Sequence, residues 1–335
     1  MTSAVQPDPN PLFRLIQLAS GLWVSRALWA AAHLRLADAI GDAPTPVAEL
    51  ARATGAQEDN LRRLMKALVS IGVFRAEGED SFVQSDLSLL LRSDHPLSQR
   101  NFVETIFGGE HFAGWGAIKH SLAHEGPAFD SVYGMPVFDW YSRHPDEAQR
   151  FSQAMASTTL LLEAALLGTW EPPPFELAVD LGGSRGTLLA ALLQRRPEAR
   201  GVLFDLPNVA DSARGAAPER IEVVGGDFFK RVPEGDLFLL KLILHDWSDD
   251  RSEAILRNVR AAIRSGGRLA IIDALLPDVP GDHAGFLMDL NMMVMTGGRE
   301  RTAAQFEALL ARTGFRIESI TPTPTPMAVV QAIAA

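Results

Sequence analysis

The chain has 335 residues, 47% apolar and 21% charged, enough apolar material for a full core shared between two domains. Acidic side chains outnumber basic ones by 41 to 31, and no basic cluster exceeds Arg62, Arg63 and Lys66, so a nucleic-acid-binding surface is not expected. The absence of cysteine excludes disulfides, thiolate metal ligands and cysteine nucleophiles, and no apolar run approaches the ~20 residues of a membrane span. Without a basic, apolar and small-residue leader pattern, the expected location is the cytoplasm.

After a polar start, Leu12, Leu15, Ile16, Leu18, Ala19, Leu22, Trp23, Ala27 and Leu28 recur at helical spacing, which predicts a helix over Pro11–Ala32 and a second through Leu34–Ile40. Their apolar surface exceeds what one small domain needs and suggests a partner subunit as readily as packing within the chain. Pro46 then opens a helix at Val47–Thr54, ended by Gly55, and Asp59 or Asn60 caps another over Leu61–Ile71. Val73–Arg75 and Phe82–Gln84 flank a polar turn as a hairpin, completing a winged-helix pattern. The wing carries Glu77, Glu79 and Asp80, which favours an interaction or dimerisation scaffold over a DNA reader. A proline-containing link at Leu89–Leu97 sets the expected boundary between a domain of residues 1–97 and one of 98–335.

The second domain opens with a helical insert at 98–170, read as helices over Gln99–Gly109, His111–His124 and Pro145–Trp170 around the aromatic stretch YGMPVFDWY. Met135, Phe138 and Met155 make this region apolar. Leu177–Leu181 is a short buried-strand pattern, broken by Gly182, Gly183 and Gly186 before a helix at Thr187–Leu193, and a second strand ends on Asp205. This is a βαβ unit with an acid at the tip of its second strand, placed to hold ribose hydroxyls. The glycine spacing D-x-G-G-x-x-G departs from the dinucleotide fingerprint and disfavours NAD. Further strands are expected at Ile221–Val224, Leu237–Leu244 and Arg268–Asp273, with helices at Asp249–Ile263, Phe286–Met295 and Thr302–Thr313. Phe315–Ile320 and Met327–Ile333, joined by a short Thr/Pro turn, must pair antiparallel.

In such a sheet ligands lie beyond the carboxyl ends of the strands, which collects Asp180, Gly182, Asp205, Asp227, Phe228, Lys241, His245, Asp246 and Asp273. Asp227 is suited to an adenine amino group and Phe228 to stacking on the base. His245 stands apart from the other histidines, at the exit of the apolar strand LFLLKLIL, and an imidazole there can take a proton from a bound acceptor.

The runs Asp180–Gly186, FDLPNV, GDFF, LLKLILHDWSDD and DLNMMVMTGGRERT together resemble the S-adenosylmethionine-dependent O-methyltransferases of the plant caffeate and flavonoid type, and their bacterial members that act on aromatic polyketides and phenazines. The resemblance spans essentially the whole chain. It implies a Rossmann-like class I methyltransferase sheet with a C-terminal antiparallel hairpin, a mostly helical N-terminal winged-helix dimerisation domain, a homodimer and no metal. Carried over by position, it implies that Gly182 and Gly183 line the methionine end of the cofactor, Asp205 holds the ribose, Asp227 and Phe228 the adenine, that Leu206 is a further cofactor contact, and that Lys241 completes the pocket. His245 matches the general base, flanked by Asp273 and Glu300, while Trp115, Phe151, Met155, Asn291 and Met292 fall where members contact the acceptor. Ser184 departs from the family, which has a third consecutive glycine there.

Two other readings remain open from the sequence. Relatives of this fold can use the bound sulfonium only as a fixed charge, in a hydroxylation or pericyclic rearrangement. A winged-helix regulator that senses a metabolite is the third reading.

Overall fold

The alternation of apolar residues along the strands decides what each face of the main sheet packs against. Val179, Leu181, Phe238, Leu240, Leu269, Ile271 and Val330 share one buried layer, while Ala178, Leu237, Leu239, Ala270, Ile272 and Val329 share the opposite one. Successive side chains on a strand point to opposite faces, so a sheet with this pattern must be covered on both sides. Helices Asp249–Ala262 and Ala303–Arg312 contribute Ile255, Leu256, Val259, Phe306 and Leu309 to the first layer, and helix Thr187–Arg195 contributes Leu188, Leu189 and Leu192 to the second.

The computed structural model describes residues 10–335, which divide into two compact units after Gly109. In the N-terminal unit, strands β1 (Thr45–Pro46), β2 (Arg75–Ala76) and β3 (Ser81–Val83) form a small antiparallel sheet in the order β1-β3-β2. Together with helices Val47–Thr54 and Glu58–Ser70 this is the winged-helix arrangement, closed over Leu50, Leu61, Met65, Phe74 and Phe82. The second helix is capped by the Gln57 side chain accepting from Asn60 N at 2.7 Å, not by Asp59 or Asn60 as expected. Arg62, the first residue of the basic cluster, is engaged by Asp80 and Glu58, both at 2.8 Å.

The expected first helix divides into Pro11–Ala19 and Gly21–His33. Ser20 Oγ donates to Gln17 O at 2.8 Å ahead of Gly21, and a Ser-Gly pair of this kind is a common cause of a helix break. On the first of these helices Leu12, Phe13, Leu15, Ile16 and Leu18 are all exposed within the single chain.

In the C-terminal unit, strands β4 (Leu177–Leu181), β5 (Arg200–Asp205), β6 (Ile221–Gly225), β7 (Gly235–Lys241), β8 (Ile263–Leu276), β10 (Phe315–Pro322) and β11 (Met327–Ala334) run in the order β10-β11-β8-β7-β4-β5-β6. The short β9 (Arg301–Thr302) pairs with β8 off this path. β4 to β8 are mutually parallel, whereas β11 is antiparallel to β8 and to β10, the latter because their link is too short for a crossover. The order turns back at β4, which has β5 on one side and β7 on the other, and this switch point opens a crevice at the strands' carboxyl ends.

Three differences from the sequence reading bear on the site. The strand expected to reach Leu244 ends at Lys241, where Leu242 adopts φ +56° and a 3₁₀ turn over Leu244–Asp246 follows. The helix expected over His111–His124 breaks into Gly109–Gly116 and Ile118–Ala123, and the aromatic stretch belongs to two short helices, Ala128–Tyr133 and Val137–Arg143. Gly134 at φ +72° and Pro136 separate that pair, the glycine supplying a left-handed turn and the proline starting the next helix.

Candidate active site

His245 is turned off the end of β7 by the left-handed Leu242, whose amide still reaches Ile272 O on β8 at 3.0 Å. The imidazole is buried, and its Nδ1 lies 2.7 Å from Glu300 Oε1. An ionised carboxylate can only accept, so Nδ1 carries the hydrogen and Nε2 is the ring atom free to exchange a proton. Nε2 lies 3.8 Å from Asp246 Oδ1. Burial pulls the imidazolium down, but the charges of Glu300, Asp246 and Asp273 outweigh it and push the ring up to about 10.

Asp273, near the end of β8, is buried, and its carboxylate makes no well-formed hydrogen bond among the described residues, the Leu242 amide lying near enough only to favour its ionised form. It acts on His245 through charge alone. Burial raises it to about 6, against the attraction of the His245 ring. Asp246 is raised to about 7, by burial first and then by Asp273 and Glu300, with His245 pulling the other way. Glu300 is itself anchored by its amide, which donates to Asp289 Oδ1 at 2.9 Å.

The segment carrying Glu300 lies against the segment carrying His245. Arg299 N donates to His245 O at 2.8 Å, and a Cβ at Gly298 would strike that same carbonyl, so only glycine permits the approach. Arg301 is buried and donates to Leu244 O at 2.9 Å, Trp247 O at 3.0 Å and Asp249 Oδ1 at 2.9 Å. Its burial could not be read from the sequence, where an arginine is ordinarily a surface residue.

Around the switch point, Gly182 adopts φ +68°, and a Cβ there would strike Ile243 and come within 4.0 Å of the Phe228 ring. Gly183 packs on the Asp180 carboxylate in the same way. Asp205 accepts from Ser184 N at 2.8 Å and from Leu206 N at 2.7 Å, while burial raises it to about 6. Ser184 takes the left-handed conformation (φ +54°) that the missing glycine would adopt freely, and its Oγ lies 2.7 Å from Ser152 Oγ on helix Pro145–Thr169. Lys241 is lowered by burial, against the attraction of Asp180 and Asp273, and Asp180 is raised to about 7, by burial first, with Lys241 opposing. Asp227 Oδ1 accepts from Phe229 N at 2.9 Å, and Phe228 packs edge-on to Trp247. A strand-end acid, a bare glycine turn and a half-buried ring beside it fit a nucleoside with a charged amino-acid tail. Among the described residues, no group of three or more His, Asp or Glu side chains could hold a metal ion.

Among the residues expected to contact an acceptor, Trp115 Nε1 donates to Asn291 Oδ1 at 2.8 Å, joining two residues 176 positions apart. Phe138 stacks on Trp247, 5.6 Å between centroids, which connects the aromatic helices to the His245 turn. Phe151 stacks on Tyr141 and His111, and Met292 is buried in the last turn of helix Gly285–Met295. Met155 is partly exposed, with its carbonyl accepting from Thr159 Oγ1 at 2.8 Å.

Two family models match the chain: an O-methyltransferase dimerisation domain over residues 16–94 and an O-methyltransferase domain over residues 115–316. The first match includes the exposed apolar residues Ile16, Leu18, Leu22 and Trp23. The phenazine O-methyltransferase PhzM of Lysobacter antibioticus is 38% identical over 324 residues, 95% of each chain. The solved structure of LaPhzM superposes with a TM-score of 0.94 at 37% identity, over 97% of this chain and all of that one. Human N-acetylserotonin methyltransferase in complex with S-adenosylmethionine gives 0.91 at 28% identity, over 99% and 100%. With both family domains matched and relatives of this identity along nearly its full length, the chain belongs to the S-adenosylmethionine-dependent O-methyltransferases.

Proposed function

We propose that this enzyme methylates a hydroxyl group on an aromatic or polycyclic secondary metabolite, with His245 as the general base. The observation that carries the base assignment is the 2.7 Å pairing of His245 Nδ1 with Glu300, which leaves Nε2 as the basic atom of a buried ring. Bound S-adenosylmethionine supplies an electrophilic methyl group on a sulfonium cation. Gly182, Gly183, Asp205, Leu206, Asp227, Phe228 and Lys241 are assigned to holding it. Asp205, at the end of its strand, would hold the ribose hydroxyls, and Lys241 balances the nearby charges of Asp180 and Asp273.

His245 takes the acceptor's proton at Nε2, and Glu300 keeps the ring oriented while it does so. The neighbouring carboxylates raise the ring's proton affinity, so transfer from a phenol of pKa ~10 is less uphill than to an ordinary imidazole, at the cost that the ring must first be in its unprotonated form. Alignment of the reacting groups contributes roughly 7 to 11 kcal/mol. Trp115, Phe151, Met155, Asn291 and Met292 are assigned to the acceptor wall. An apolar, planar acceptor is supported by the aromatic packing around them and by the phenazine relative. A cytoplasmic location is proposed with this function; no helix among the described residues is long and apolar enough to cross a membrane.

The test is His245→Ala, assayed with S-adenosylmethionine and a panel of phenolic polyketides, phenazines and flavonoids by mass spectrometry. The wild type gains one methylene on the acceptor in step with S-adenosylhomocysteine. The variant keeps its cofactor affinity and loses kcat by ~10² or more. Full kcat in the variant would remove His245 from the chemistry.

A further inference from the structure

The GGRERT run contributes more to the site than Glu300. Arg301 is about 1% exposed and uses its whole guanidinium: Nη1 on Leu244 O at 2.9 Å, Nη2 on Trp247 O at 3.0 Å, on Ser252 Oγ at 3.1 Å and on Asp249 Oδ1 at 2.9 Å, and Nε on Asp249 Oδ1 at 3.1 Å. Two of those acceptors, Leu244 O and Trp247 O, bracket the 3₁₀ turn that carries His245. Through its backbone the same residue is in register with Leu275 of β8, two positions beyond Asp273. Arg301 therefore bonds both sides of the His245 turn while sitting directly after Glu300, at a fixed register to the strand of Asp273. A planar five-donor fork can do this; a lysine, a point donor, can satisfy at most part of it.

We propose that Arg301 is a positioning residue that sets the His245 ring against Glu300 and Asp273, and so governs the proton-transfer step without touching either substrate. The inference rests on the assignment of His245 as the base. It differs from a purely structural role in what it predicts for the ring. Charged or titratable groups that act on the ring come from three elements: Asp246 on its own turn, Glu300 beside β9 and Asp273 on β8. Loosening the turn moves the imidazole away from the last two.

The experiment is Arg301→Lys, followed by an NMR titration of the His245 imidazole in the cofactor-free protein, with kcat, cofactor Kd and melting temperature measured alongside. The expected result is a His245 pKa lower by ~1 unit or more, kcat down ~10- to 100-fold, and cofactor Kd within ~2-fold of wild type. If the lysine variant does not fold, Asp249→Asn carries the test. Asp249 is half exposed, and weakening its two bonds to Arg301 moves the titration in the same direction by a smaller amount. A folded variant with an unchanged titration and unchanged kcat per bound cofactor overturns the positioning role. Retained kcat in His245→Ala overturns the base assignment instead, whatever Arg301→Lys does to the ring.

Discussion

Replacing Glu300 by glutamine removes a charge from beside the His245 ring while keeping an amide oxygen that can still accept from Nδ1. The ring stands about 3.5 pH units above its ordinary 6.5, which at ~1.36 kcal/mol per unit is ~5 kcal/mol in favour of the imidazolium, achieved against burial. Two unit charges 2.7 Å apart at an effective dielectric of ~20 attract by ~6 kcal/mol, so Glu300 accounts for a large part of that preference, with Asp246 and Asp273 supplying the rest. Glu300→Gln should therefore lower the His245 value by ~2 units or more, or ~3 kcal/mol. Two assays read it: an NMR titration of the imidazole, and the acid limb of kcat/KM, which reports the base in the free enzyme. A base must be unprotonated to act, so the wild-type acid limb rises toward the high value and the variant's limb moves to lower pH. A titration in the variant within ~0.5 unit of wild type would refute the electrostatic account of this site.

Gly182→Ala places a side chain on a left-handed backbone, a strain of ~1–2 kcal/mol, and drives its Cβ into Ile243 beside Phe228; cofactor Kd should rise ~10-fold by calorimetry, with an unchanged Kd contradicting the assignment. The raised His245 value also makes folding pH-dependent in a defined direction. Its contribution to stability is fully present below the unfolded value near 6.5 and is lost as pH rises through about 10. The stability gap between wild type and His245→Gln, from urea unfolding, should accordingly be largest near pH ~6 and close by pH ~10.5; a gap independent of pH would mean that the ring is not held charged.

The strands of the main sheet were legible because buried strands announce themselves as apolar runs punctuated by glycine and proline, as at Leu177–Leu181 before Gly182 and Gly183. His245 was legible for the same reason, standing at the end of such a run. How it leaves the strand was not, because leucine is a poor sign of a left-handed backbone, yet Leu242 adopts one. Helices Ala128–Tyr133 and Val137–Arg143 are too short for their periodicity to rise above the aromatic composition of the stretch. Arg301 illustrates a further limit: its place is set by carbonyls and side chains about 50 to 57 positions away, and nothing in local spacing distinguishes it from Arg299.

Ser184 gives the glycine turn a second meaning. A non-glycine residue at φ +54° is strained by ~1–2 kcal/mol, and its return is a pair of tethers, from its amide to Asp205 and from its hydroxyl to Ser152 on the long helix. Selection for heat resistance alone would push this position toward glycine, relieving the strain and leaving the amide bond intact. It would also remove the hydroxyl bond to Ser152, so a hardier protein would emerge with the turn and the long helix joined by packing alone at this point. At this position robustness and coordination are opposed, and the serine marks the side on which this chain has settled.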